Sequence, residues 1–152
     1  MSATTRSVEL AHLARRFVSS LSRREPSASD TAWAEAHFLA GELQLWRRSS
    51  APDRRHSIAV GRRFESLGEH WSRDEMAAAL LHDVGKLDCG LGTFGRVAAT
   101  IIGPRTDRFR RYHDHERIGA DMLAAAGSAE VTVELVRGRG RAVAALAAAD
   151  HI

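Results

Sequence analysis

Ser72-Arg73-Asp74-Glu75-Met76-Ala77-Ala78-Ala79-Leu80-Leu81-His82-Asp83-Val84-Gly85-Lys86 contains a helix together with its start and its end. Ser72 and Glu75 have the Ser-x-x-Glu spacing of a capping box, in which each side chain takes a backbone N–H of the other. The apolar run Met76–Leu81 follows, and it predicts a helix ending near His82 and Asp83. Neighbouring residues on a regular helix point about 100° apart, so an adjacent His and Asp reach one point most easily where the helix is ending. Gly85 supplies that ending.

Working outward, the same helical grammar recurs. Val8, Ala11, Leu13, Ala14, Phe17, Val18 and Leu21 form an amphipathic stripe. A loop over 25–30 ends in Asp30, a candidate N-cap for a helix over Thr31–Arg47 with Trp33, Leu39, Leu43 and Trp46 inward. Pro52 starts a third helix that runs to Leu67, with Gly68 as its C-terminal cap. Beyond Gly85, Gly90 and Gly92 precede a short helix over Thr93–Ile102 and a basic loop over Gly103–Arg111. A sixth helix ends at Gly127, and Ser128 caps a seventh over Ala129–Val136. An alanine-rich last helix follows Gly138 and Gly140 and carries Asp150. No stretch reads as a strand, so the expected fold is all-α, a compact bundle of about seven to eight helices. The chain of 152 residues is read as one domain, 1–152.

Composition narrows the function. A hydrophobic fraction of 44% with 27% charged residues excludes a chain disordered throughout. No run approaches the roughly 20 apolar residues of a membrane span, and the single Cys89 cannot form an intramolecular disulfide. These features read as a soluble, cytoplasmic protein. A net charge of +3 allows nucleic-acid binding without demanding it, and the arginine clusters lack the interleaved aromatics of a single-strand binder.

Four positions then stand out: His56, His82, Asp83 and Asp150. Imidazole and carboxylate together suit a divalent first-row metal and leave sites open for water and substrate. Taken singly, His56 or Asp150 reads as an ordinary helix residue. Arg55-His56-Ser57-Ile58-Ala59-Val60, Leu80-Leu81-His82-Asp83-Val84-Gly85-Lys86, His115-Glu116-Arg117-Ile118-Gly119-Ala120-Asp121-Met122-Leu123 and Ala148-Ala149-Asp150-His151-Ile152 occur in that order. In this the chain resembles the HD superfamily of metal-dependent phosphohydrolases, over positions 55–152. Positions 1–50 lie outside the motifs, and their helices complete the core or mediate a homodimer.

The resemblance implies an HD-domain-like fold in which His56, His82, Asp83 and Asp150 ligate one divalent ion (Mn, Fe, Co, Zn or Mg), whose bound water attacks phosphorus. It implies a small phosphorylated substrate, a nucleotide first among them. It makes Asp83, Lys86 and His115 catalytic candidates, with Lys86 near the substrate phosphate and His115 a further metal ligand, a phosphate-positioning group or an acid. A cation beside a helix C-terminus is the other reading of Lys86. His113 would substitute for His115 if the helix began earlier. Arg105, Arg108 and Arg111 are either a solvated loop or phosphate ligands, since guanidinium groups bind phosphate bidentately. His12, His37, His70 and His151 match no part of the motifs, and Cys89 reads as a small buried filler.

Multi-metal relatives carry a further histidine where this chain reads Val136-Arg137-Gly138-Arg139-Gly140-Arg141. The second metal set is therefore incomplete, and the cyclic-dinucleotide signature Gly-Tyr-Pro is absent. A non-catalytic HD-type metal- and nucleotide-binding regulatory module is the alternative these departures motivate.

Overall fold

The computed structural model describes residues 23–68, 70–89 and 114–151, which form helices, turns and loops with no strand among them. In chain order the helices are α1 Ala28–Glu35, α2 Ala40–Arg47, α3 Ala51–Ser66, α4 Arg73–Leu81, α5 Lys86–Cys89, α6 His115–Ala125, α7 Glu130–Val136 and α8 Val143–Asp150. The all-α expectation holds. The stripe over 8–21, the helix over 93–102, the basic loop over 103–111, His12 and His113 lie outside the described residues.

Helix α4 is the centre of the molecule. Every residue from Glu75 to Leu81 is buried, and α4 packs against α2, α3 and α7, while α8 packs on α3 and α5 on α6. Three consecutive alanines, Ala77–Ala79, are wholly inaccessible, so the neighbouring helices approach it closely. The capping box forms as expected: Glu75 N–H donates to Ser72 Oγ (3.2 Å) and Ser72 N–H to Glu75 Oε2 (2.9 Å). Glu75 is itself buried, and the Arg141 guanidinium meets it with two hydrogen bonds of 2.8 Å, tying the turn before α8 to the start of α4. Burial alone pushes the Glu75 carboxyl up, but Arg141 and Ser72 outweigh it and hold it below its ordinary value.

Several boundaries differ from the periodicity. The single helix expected over Thr31–Arg47 is two helices broken at 36–39. Arg73, far along the chain, donates to the His37 carbonyl (3.1 Å), and Glu42 takes the Leu39 N–H (2.7 Å), so a turn replaces helical bonds. Glu42 is fully buried, with Arg73 at 2.9 Å as its counter-ion. Leu39, expected inward, is exposed at the new N-cap. Ser27, not Asp30, caps α1, because Asp30 lies in its first turn and gives its own N–H to Ser27 Oγ (3.1 Å). Ser128 does not cap α7: its backbone N–H closes the end of α6 on the Leu123 carbonyl, while Gly127 takes φ +83°. Gly68 is not a left-handed cap either. The Trp71 ring lies where its side chain would be, 2.4 Å from an ideal Cβ, and α3 ends at Ser66 with Leu67 as its C-cap.

A candidate metal centre at the end of the central helix

Past Leu81 the chain tightens into i→i+3 turns, with Val84 N–H on the Leu81 carbonyl, Lys86 on Asp83 and Leu87 on Val84. His82 and Asp83 are thereby lifted off the regular helix. His82 Nδ1 bonds the Ala79 carbonyl at 2.8 Å, which points Nε2 the other way, into the space between α3 and α8. There His56 from α3 and Asp150 from α8 meet the pair.

Nε2 of His56 is 3.1 Å from Asp150 Oδ1 and 3.8 Å from Asp83 Oδ2. Nε2 of His82 is 3.5 Å from the same two oxygens. Donor atoms of His56, His82 and Asp83 all lie within 4.8 Å of one another. Ligands at roughly 2.0–2.2 Å from one ion are about 3–4 Å apart, so these spacings suit a common cation. The fit has a second support. His82 Nε2 is buried, and at 3.5 Å from each carboxylate it makes no well-formed hydrogen bond among the described residues. A buried imidazole nitrogen in that state costs stability unless it receives a ligand.

The electrostatics agree. The hydrogen bond from His56, and then the His82 imidazole close by, hold the Asp150 carboxyl far below the usual carboxylate range against the effect of burial. Burial pushes Asp83 up, yet the charges of His82, Lys86 and His115 overcome it and keep Asp83 ionised. Burial likewise pushes His82 down, and Asp83 followed by Asp150 reverses this, for a net rise. Two carboxylates fixed in their charged form beside imidazole nitrogens attract a divalent cation in place of protons.

Helix α6 brings a further imidazole: His115 Nε2 lies 3.4 Å from Asp83 Oδ1. Two glycines make that approach possible. A Cβ on Gly85 would sit 1.9 Å from the His115 carbonyl oxygen, and one on Gly119 would lie 3.0 Å from the Gly85 nitrogen. Gly85 is therefore required by the crossing of α6 over the turn, with α4 already ended at Leu81. Lys86 Nζ sits on Asp83 Oδ2 at 2.5 Å, in ion-pair contact with the centre.

Arg105, Arg108 and Arg111 lie outside the described residues, as does the Cys89 side chain. Among the incidental histidines, His37 bonds the Trp33 carbonyl (2.9 Å), and His70 and His151 are exposed. The arginines of 137–141 meet acids: Arg137 meets Asp121 (2.5 Å), Arg139 meets Glu134 (2.5 Å) and Arg141 meets Glu75. The sequence singled out neither Glu42 nor Arg63, nor the pairing of Glu75 with Arg141. Only Glu75 carried a signal, its capping-box position. Beside Asp83 and Lys86 a recess of about 20 Å³ has room for one water.

An all-helical domain that gathers His56, His82, Asp83 and Asp150 from two helices and the turn after a third has side chains that could hold a metal ion. The model of the HD domain family matches residues 54–151, and the chain belongs to that family. No curated protein and no solved structure matches the chain significantly. Among the described residues no helix is long and apolar enough to cross a membrane.

Proposed function

We propose that the protein is a metal-dependent phosphohydrolase that cleaves a phosphoester of a small phosphorylated metabolite, a nucleotide first among them. One observation carries this reading: in a chain of the HD family, His56, His82, Asp83 and Asp150 converge around a buried imidazole nitrogen that lacks a good partner among the described residues. These four would hold one divalent ion, which when bound supplies Lewis acidity to a water and to a phosphoryl oxygen.

Asp83 and Asp150 keep their charge and offer carboxylate oxygens to the ion beside the Nε2 atoms of His56 and His82. Lys86 lends its ammonium to substrate phosphate as charge develops on the phosphoryl oxygens, sharing it with Asp83. His115, on the other side of the Asp83 carboxylate, is placed to hold or pass a proton at Nε2 toward the leaving oxygen. Arg105, Arg108 and Arg111 are assigned to phosphate recognition on the chemistry of the guanidinium group, which binds phosphate bidentately.

Protein purified without chelator should contain about one ion per chain and hydrolyse at least one member of a phosphoester panel supplied with manganese or cobalt. Asp83→Asn should cost at least about 100-fold in turnover while the fold is retained. Full activity in a folded Asp83→Asn variant would sink the mechanism. The engagement of Arg137, Arg139 and Arg141 in ion pairs, where multi-metal relatives carry a histidine, favours a second reading, a non-catalytic metal- and nucleotide-binding module. Nucleotide binding by calorimetry without turnover on any metal would select it.

A further inference from the structure

We infer that Arg63 is a positioning residue for Asp150: it grips the last turn of α8 and sets where that carboxylate stands relative to His56. The inference rests on the metal reading above. Helix α8 is weakly anchored by its own sequence. Its N-cap Ala142 offers no side-chain acceptor, Ala149 is its only fully buried residue, and its last turn contains no basic group. Asp150 moreover sits at the negative end of the helix dipole, where a carboxylate is disfavoured and the last carbonyls lack intrahelical donors.

Arg63 answers both problems from another helix. Its Nε donates to the Ala149 carbonyl at 2.6 Å, one residue before Asp150. A guanidinium there satisfies a terminal carbonyl and offsets the dipole. Arg63 also lies seven residues after His56 on α3, which is two helical turns and therefore the same face. One rigid helix thus supplies a donor of the site and fixes the backbone next to another, so the 3.1 Å separation of His56 Nε2 and Asp150 Oδ1 is referred to α3 alone. The adjacent Arg62 is used differently: it stacks over the Trp33 ring at 3.7 Å and faces Asp30 and Glu65.

The test is a titration of the full chain with Mn²⁺ alone, free ion being counted by electron paramagnetic resonance, for wild type, Arg63→Met, Asp150→Asn and the double variant. Melting followed by circular dichroism accompanies each. Arg63→Met should weaken Mn²⁺ binding about tenfold while remaining folded, as loss of an orienting contact does. In the Asp150→Asn background the same change should cost less than about twofold, because Arg63 acts through Asp150. A lower melting temperature with unchanged Mn²⁺ affinity, or an equal loss in both backgrounds, would overturn the inference. Should Arg63→Met not fold, Arg63→Gln is read by the same two criteria. Failure of the wild type to bind Mn²⁺ would overturn the metal reading and this inference with it, whereas binding by wild type and undiminished binding by the variant overturns this inference alone.

Discussion

At Glu75 one carboxylate closes a helix, neutralises a guanidinium and links two segments distant in the chain. Its carboxyl is held in the fold below its ordinary pKa near 4.5, so the folded state binds its proton less readily than the unfolded chain does. The stabilisation is therefore complete above about pH 4.5 and is lost as pH falls through the lower, folded value. Arg141 is largely exposed, which screens the pair. Denaturant melts should show Glu75→Gln destabilised by about 1 kcal/mol at pH 7, with the difference from wild type vanishing at lower pH. At Asp83 substitution acts on function: the Asn variant keeps the size of the side chain but removes a charge that Lys86, His82 and His115 all face.

Helix α6 and the turn after α4 meet through backbone where Gly85 and Gly119 touch, and this contact brings His115 to Asp83. A methyl group on Gly85 cannot be absorbed by side-chain motion, because its neighbours are the His115 carbonyl and the Gly119 nitrogen. Gly85→Ala should cost about 2 kcal/mol by chemical denaturation and push α6 outward. Turnover should fall further than Mn²⁺ affinity in this variant, since the four proposed ligands sit on α3, the turn after α4, and α8. Within α4 the burial of every apolar residue makes large-to-small changes costly: Leu80→Ala should lose about 3 kcal/mol, read from the same denaturation curves. The break between α1 and α2 has a different origin. Its bonds come from Arg73 and Glu42, which no local periodicity contains.

Across the whole molecule, the centre joins α3, α8 and the turn after α4, so an ion bound there would crosslink elements whose ligands lie 94 residues apart in the chain. An ion that binds only the folded state adds about 2.7 kcal/mol at a hundredfold excess over its dissociation constant. For a domain of this size, Mn²⁺ should raise the melting temperature by roughly 5–10 °C in calorimetry, and chelator should reverse it. The sequence by itself determined the helical class, the starts of α3 and α4, and the four groups of the proposed centre. Each of these depends on local signals: capping serines, a proline in a first turn, and motif residues in a fixed order. Only the tertiary structure decided that Thr31–Arg47 is broken in two, that Gly85 makes room for α6, and that Arg63 and Arg141 hold the two ends of α8. Those outcomes are contacts between residues tens of positions apart, and a side chain's partner across such a distance is chosen by helix packing, which local spacing does not encode.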